Sequence, residues 1–394
     1  IGGFVALIEK SGGAVAFATK MTHIITNRFK AQIATWLTGI AIFFSDLGTP
    51  LIVGPIYRPI IDKLKISRVK LAWIIDTTAS PVAVLVPFIG WGVYSMALIE
   101  KQYLEIGVTE PAFDAYVSAI PFQFYSIFAI LMVPLVAFSG YEFGPMARAE
   151  LKAQSDAVLQ DDSGLEISDT MAHPNAKAIF VWLPLVVMVS VLFFLLVPLG
   201  FPLKSVPSLA FRGALSSAYF YSAVTLIVLM MSYGVKSFKE SMIIYFAGVS
   251  KMTSVLLILV LAWSLSSIGK NLGTPQYIIS LAEGNFAVYL VPVIAFLFGA
   301  VMSFATGSSW GTYAIMMPLI IAVAHALGAP MHVSIGAVLS GGMFGDHCSP
   351  ISDTTILSAS GAGCSQFDHV RTQIPYELFN GSICVVCYIT AGIT

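Results

Sequence analysis

Long apolar runs with short polar punctuation make up most of this chain. Stretches such as "AIFVWLPLVVMVSVLFFLLVPLG" (178–200) and "ALSSAYFYSAVTLIVLMMSYGV" (214–235) can cross a bilayer core of about 30 Å as helices. Short segments of strict alternation, the mark of a membrane β-barrel, are absent from the sequence. The pattern predicts an all-α polytopic membrane protein.

Four apolar stretches are interrupted at their centres. Residues 33–60 contain "FFSDLGTPLIVGP", which predicts a hairpin with arms too short to cross separately. Residues 71–99 carry "LAWIIDTTASPVAVLVPFIGWG", predicting a helix broken from Asp76 to Pro81. Residues 287–326 contain "FATGSSWGTYAIMMP", again two arms around a small polar tip. Residues 331–360 carry "GGMFGDHCSPISDTT", broken at Ser349-Pro350. A proline removes a backbone donor and clashes with the preceding turn. Interrupted backbone at membrane depth survives only when buried in protein or facing a wet cavity.

The order of hairpin then broken helix therefore occurs twice, and charge orients the two copies. Lys20, Arg28 and Lys30 precede the first hairpin, and Lys63, Lys65, Arg68 and Lys70 follow it. Basic short loops stay cytoplasmic, so this hairpin is expected to be re-entrant and open to the cytoplasm. The second hairpin is flanked by "LAEGNF" and "LGAPMHVS", without Lys or Arg, and is expected to open outward. Spans at 71–99, 116–139, 177–200, 213–233 and 252–268 give a matching parity, with the polar loop 141–176 inside. Two inverted-topology repeats follow, each with a re-entrant hairpin and a broken transmembrane helix, the mark of a secondary transporter. The expected division is 1–139 for the first repeat, 140–244 for a linking loop and two connecting helices, and 245–394 for the second.

Composition agrees with a lipid-facing surface. The chain is 57% hydrophobic and 10% charged, against about 25% charged in soluble domains. Its net charge of −1 argues against nucleic acid as a partner. The ends, "IGGFVALIEK" and "CVVCYITAGIT", read as trimmed, so no targeting segment can be judged from them. Cys384 and Cys387 lack the second pair that a zinc site needs. The phosphate-binding lysine motif is missing, which excludes a transport ATPase in this chain. No enzyme motif stands out, and no cofactor is expected.

The chemistry lies in polar residues at the interruptions. Asp46 is in the first hairpin tip, Asp76 at the first break, and Asp346 and Asp353 flank the second. Carboxylates at membrane depth usually mark an ion or substrate path. Asp76 and Asp353 also admit a helix-capping role. Ser80, Ser349 and Ser352 are hydroxyls at breaks, and Thr49 is at the tip. His347 suits either a proton carrier or a backbone hydrogen bond. Oxygen donors of this kind suit Na⁺ or H⁺.

At these residues the chain resembles the NhaC family of Na⁺/H⁺ antiporters. "GGMFGDHCSPISDTTILSAS" (341–360) is similar to that family's G-D-x-x-S-P-[IL]-S-D-T-T signature. "LIVGPIYRPIIDKLKISRVKLAWIIDTTASPVA" (51–83) resembles a second family segment, and "AWSLS" with "LGTPQYI" a weaker third. The resemblance implies cation-coupled antiport on an inverted-repeat fold. It also implies Asp46, Asp76, Ser80, Asp346, Ser349, Ser352, Asp353 and Thr354 as site residues. Transported Na⁺ and H⁺ would compete for Asp46, Asp346 and Asp353. The implied setting is a bacterial inner membrane, surrounded by lipid, with a homodimer as an open assembly state. One departure stands out. The first tip reads "FSDLGTPLIVG" where the family commonly has F-D-D-Y-A-N-T-L-I-V-G, so Ser45 stands in place of an acid. The expectation is a tip with one fewer negative charge and room for a larger group beside Gly48. Export of an organic solute, such as tetracycline, an amino acid or a hydroxy acid, stays open as the alternative.

Overall fold

The computed structural model describes residues 2–22, 25–155, 173–202, 204–273, 277 and 287–393. The chain forms α1 (Gly2–Lys10), α2 (Gly13–Thr22), α3 (Arg28–Ala41), α4 (Gly48–Lys63), α5 (Arg68–Thr78), α6 (Ser80–Ala83) and α7 (Gly90–Ile106). Then follow α8 (Ala112–Ala119), α9 (Phe124–Ser139), α10 (Gly144–Ser155), α11 (Ile179–Leu196), α12 (Ser208–Ser232) and α13 (Phe238–Asn271). The last are α14 (Val291–Thr306), α15 (Ser309–Leu327), α16 (Met331–Cys348), α17 (Asp353–Ala362) and α18 (Gln366–Ile393). Among the described residues there is no strand. Six helices are long and apolar enough to span a bilayer, and the pair α8–α9, bent by 47°, makes up to seven among the described residues. The chain is an all-helical polytopic integral membrane protein.

Helix ends follow local chemistry. Asn27 caps α3 by accepting a hydrogen bond from the Lys30 amide at 2.8 Å, and Ser67 does the same for α5 from Lys70. Such side chains satisfy amides that the first helical turn leaves without partners. Between α14 and α15 the chain turns at Gly307, whose φ of +64° is easy for glycine alone.

The early hairpin consists of α3 and α4, 14 and 16 residues long, joined by a tip at 42–47. Both arms fall short of a full crossing. The late hairpin differs. Its arms, Val288–Thr306 and Ser309–Leu327, are 19 residues each and long enough to cross alone. By length the late element is two crossings and the early one is not.

The early broken helix departs from the expected single break. Asp76 lies inside α5, and the first interruption is the single residue Ala79. One turn of helix, α6, follows with Pro81 at its start. The chain then unwinds past Pro87 and resumes helix only at Gly90. Two prolines, each without an amide donor, produce two interruptions. The late element breaks as expected, with α16 ending at Cys348 and α17 starting at Asp353. The expected polar loop 141–176 contains helix α10, and its residues 156–172 lie outside the described set. The flanking "LAEGNF" and most of "LGTPQYI" also lie outside it.

Bare backbone contacts hold the interrupted helices together. A Cβ on Gly54 of α4 would fall 2.4 Å from the Gly361 carbonyl carbon of α17. One on Gly361 would fall 2.4 Å from the Pro50 carbonyl oxygen. The return arm of the early hairpin thus lies directly on the second half of the late broken helix. A Cβ on Gly345 would fall 2.1 Å from the Ala300 carbonyl oxygen, so α16 approaches α14 as closely.

Because backbone cannot yield as a flexible side chain can, Gly361→Ala should destabilise the protein by roughly 1–3 kcal/mol. Thermal unfolding in detergent should show this, while Gly213→Ala, with open space around its Cβ position, should melt like the unaltered protein.

Candidate functional site

The late break is built where a hairpin turn meets an interrupted helix. Ser349 Oγ donates to the Phe304 carbonyl at 2.8 Å, tying the break to the end of α14. A Cβ on Gly307 would sit 2.8 Å from the Ile351 carbonyl oxygen, so the turn rests on the break. Ser352 and Thr354 share a 3.1 Å contact between hydroxyls, and Asp353 Oδ1 accepts from the Thr354 amide at 2.9 Å. Ser349, Ser352 and Thr354 therefore already have partners that shape the break. The Thr354 bond also fits the capping role open to Asp353.

Asp346 is different. It is only 3% exposed, and its Oδ1 has no hydrogen-bond partner. Ser309, the first residue of α15, lies close enough to act on the Asp346 carboxyl as a hydrogen-bond donor, and its buried Oγ has no other partner. Ser303 Oγ in the last turn of α14 and Ser80 and Thr77 hydroxyls at the early break are further buried oxygens left unpaired. Buried polar atoms are normally hydrogen-bonded, so each such exception calls for a reason.

Asp353 is exposed, Asp46 half-buried and Asp346 sealed. Asp353 acts electrostatically on both of the other two, and Asp76 and His347 act on Asp346. The acids thus form a series from accessible to enclosed. They do not close on one point. Among the described residues, no three His, Cys, Asp or Glu side chains are placed to hold a single metal ion.

Asp76 has become the centre of a sealed network. Its carboxylate accepts from Thr355 (3.1 Å), Ser358 (3.4 Å) and Gln373 (3.0 Å), with His369 Nε2 at 3.3 Å. It does not cap α6, whose N-cap Ala79 has no side-chain bond. His347 Nε2 lies 3.7 Å from Asp76, and its Nδ1 is 3.2 Å from Glu377 and 2.9 Å from the Tyr125 hydroxyl. Tyr125 also donates to Glu377, and Trp73 Nε1 donates to its other oxygen at 3.1 Å. Beyond Trp73, the ring of Tyr376 packs at 4.8 Å and donates its hydroxyl to Glu142, which pairs with the buried Lys70.

At the early tip, Trp91 Nε1 donates to Asp46 Oδ2 at 2.9 Å. Trp91 in turn packs on Trp310 at 4.3 Å, and the Tyr94 hydroxyl donates to the Trp310 carbonyl at 2.8 Å. Aromatic side chains of α7 thus join the early tip to the start of α15. Thr49 Oγ1 donates to the Ser45 carbonyl at 3.1 Å and serves the turn. The acid missing at position 45 is replaced from elsewhere: Ser45 Oγ donates to Glu9 Oε1 of α1 at 2.5 Å. A Cβ on Gly48 would come within 3.4 Å of that oxygen, so the space expected beside Gly48 holds Glu9.

Sequence reasoning did not single out Glu377, His369, Gln373, Tyr125, Trp73, Trp91, Ser309 or Glu9. For α18 a signal existed. His369, Gln373 and Glu377 recur every four residues and so share one helical face. Glu9 and Trp91 had none, since their roles depend on partners more than thirty residues away.

The chain matches the Na⁺/H⁺ antiporter family over residues 82–393. It is 33% identical over 413 residues to an uncharacterized protein of Haemophilus influenzae, covering 100% of this chain and 77% of that protein. It is 34% identical to the arginine/ornithine antiporter ArcD of Halobacterium salinarum over 27% of this chain and 22% of that protein. It is 37% identical to the malate-2H⁺/Na⁺-lactate antiporter of Bacillus subtilis over 24% of this chain and 20% of that protein. The chain therefore spans only about a fifth of the length of those two antiporters. With an all-helical fold and a family match over most of its length, the chain belongs to the Na⁺/H⁺ antiporter family, a family of transporters and not of enzymes.

Proposed function

We propose that this chain is a secondary active antiporter exchanging cytoplasmic Na⁺ for external H⁺, with Asp346 as the shared binding group. The observation carrying this reading is the unpartnered Asp346 Oδ1, sealed at a helix break beside the Ser309 hydroxyl. An ionised carboxylate there costs several kcal/mol, and either a sodium ion or a proton relieves that cost. Each excludes the other, which is what exchange requires. Since Asp46, Asp346 and Asp353 do not form one cage, the ion draws on Asp346 together with hydroxyl and freed carbonyl oxygens. Asp353 and Asp46 serve as the approach to it. Asp76, with its oxygens already engaged, and His347 support the site indirectly.

A second reading is an H⁺- or Na⁺-coupled exchanger of an organic solute. Two relatives, the arginine/ornithine antiporter and the malate-2H⁺/Na⁺-lactate antiporter, favour it. So does the pair Trp91–Trp310 beside Asp46, a surface suited to organic groups. Under either reading the two hairpin-and-broken-helix units face opposite sides of the bacterial cytoplasmic membrane. Their shared order of elements and the basic residues that flank the first hairpin support that arrangement.

Proton flux in proteoliposomes should respond to Na⁺ gradients and be tested separately with Li⁺, K⁺, arginine, ornithine, malate and lactate. A response to a solute and none to any cation would overturn the first reading in favour of the second. Asp346→Asn should abolish the Na⁺-dependent flux yet melt close to the unaltered protein, since its free oxygen has no bond to lose. Asp76→Ala should instead lower stability by roughly 3 kcal/mol, because it strands several buried donors.

Cysteine labelling of intact cells tests the orientation. Lys65→Cys should react only from the cytoplasm and Ala326→Cys only from outside, both positions being exposed, whereas Ala329 is 7% exposed and a poor probe. Reaction of both from one side removes the inverted arrangement.

A further inference from the structure

We propose that Gln373 of α18 is a positioning residue of the cation site: its amide takes up the carbonyl that the late break frees beside Asp346, holds it against Asp76, and so sets how tightly the transported cation is bound. This rests on the cation-exchange reading given above.

The late break leaves a carbonyl without its helical donor. In an unbroken helix the Ile351 amide would bond the His347 carbonyl, four residues back. Here α16 stops at Cys348, and the Ile351 amide bonds the Ser349 hydroxyl at 3.4 Å instead. Gln373 takes the vacated place. Its Nε2 donates to the His347 carbonyl at 2.5 Å and to Asp76 Oδ2 at 3.0 Å. The side chain is sealed from solvent. Its direction follows from its partners: a carbonyl and a carboxylate both accept, so the amide nitrogen and not the oxygen must face them. The cost is a buried Oε1 with no partner.

Asp76 does not depend on this bond. Its Oδ2 also accepts from Thr355 and faces His369 Nε2, and its Oδ1 accepts from Ser358. The His347 carbonyl does depend on it, having lost its partner in the helix. Asp346 is the residue just before, in the last turn of α16. On the far side of the break, Ser349 Oγ ties the chain to the Phe304 carbonyl of α14. Asp346 thus stands in a helix end pinned at two points by side chains, while its own Oδ1 stays free. A proton needs one oxygen, but a metal ion needs several held at fixed distances. Groups that hold a ligand in place therefore act on ion affinity without touching the ion.

The test compares variants of the whole chain in proteoliposomes. Gln373→Met, of similar length but without donors, should raise the Na⁺ concentration for half-maximal proton flux roughly tenfold. It should leave the maximal rate within about twofold. The preference for Na⁺ over Li⁺ should shrink in parallel, since a loosened helix end discriminates less between ions of different size. Gln373→Asn, which keeps both donors on a shorter stem, should fall between Gln373→Met and the unaltered protein. Thr355→Val removes a hydrogen bond to Asp76 and leaves the His347 carbonyl untouched, so it should keep the unaltered half-saturation within about twofold. If Gln373→Met keeps the unaltered half-saturation and ion preference, the proposal fails. It fails equally if Thr355→Val shifts both as far as Gln373→Met does, since Gln373 then acts only through the Asp76 network. Should Gln373→Met not fold, Gln373→Asn bears the test against Thr355→Val, and unchanged half-saturation in it overturns the proposal. If no cation drives flux in the unaltered protein, the exchange reading itself falls and takes this proposal with it.

Discussion

A carboxylate cannot stay ionised and alone in an apolar interior, and Asp76 shows what meeting that constraint entails. It is on the early broken helix, yet its hydrogen-bond partners come from α17 and α18 at the other end of the chain, with His347 of α16 at 3.7 Å. One acid thus fastens the first interrupted helix to the second. The loss of helical bonds at Ala79 and around Ser349 is tolerable because the segments face each other and not lipid. Both oxygens of the Asp76 carboxylate are engaged. Asp346, one step away electrostatically, is left with an oxygen to spare.

Much of this arrangement was legible in the order of residues. Apolar run length gave the helical membrane class, and Ser349-Pro350 marked the late break within a residue or two of where α16 stops. Proline also marked an early break, but Pro87 passed as an ordinary residue of an apolar run and a second unwinding was missed. Asp346 and Asp76 both read as buried acids in interrupted helices. Their difference, one unpaired and one saturated, depends on α18 swinging His369 and Gln373 under Asp76. No local pattern around residue 76 carries that information. The Ser45 substitution was read as the loss of an acid for the same reason, since its replacement stands in a helix packed there through α13.

Family membership and site geometry speak to different questions. The match over residues 82–393 fixes what kind of protein this is, but it begins after both Asp46 and Asp76. Glu9 and Asp46, at the early tip, lie outside it, while Trp91, which bonds Asp46, lies inside. That tip is where this chain departs from the resemblance, with Ser45 in place of an acid.

The contact between Gly54 and Gly361 has a mechanical meaning. Two backbones touching without side chains between them cannot slide by a helical turn, because neighbouring residues carry the very atoms the glycines lack. The early return arm and the late half-helix must travel as one body, and Asp353 rides on it. The aromatic junction of Trp91 with Trp310 is a contact of another kind, in which side-chain rings and not bare backbones meet, with the Tyr94 hydroxyl bonded to the Trp310 carbonyl beside them.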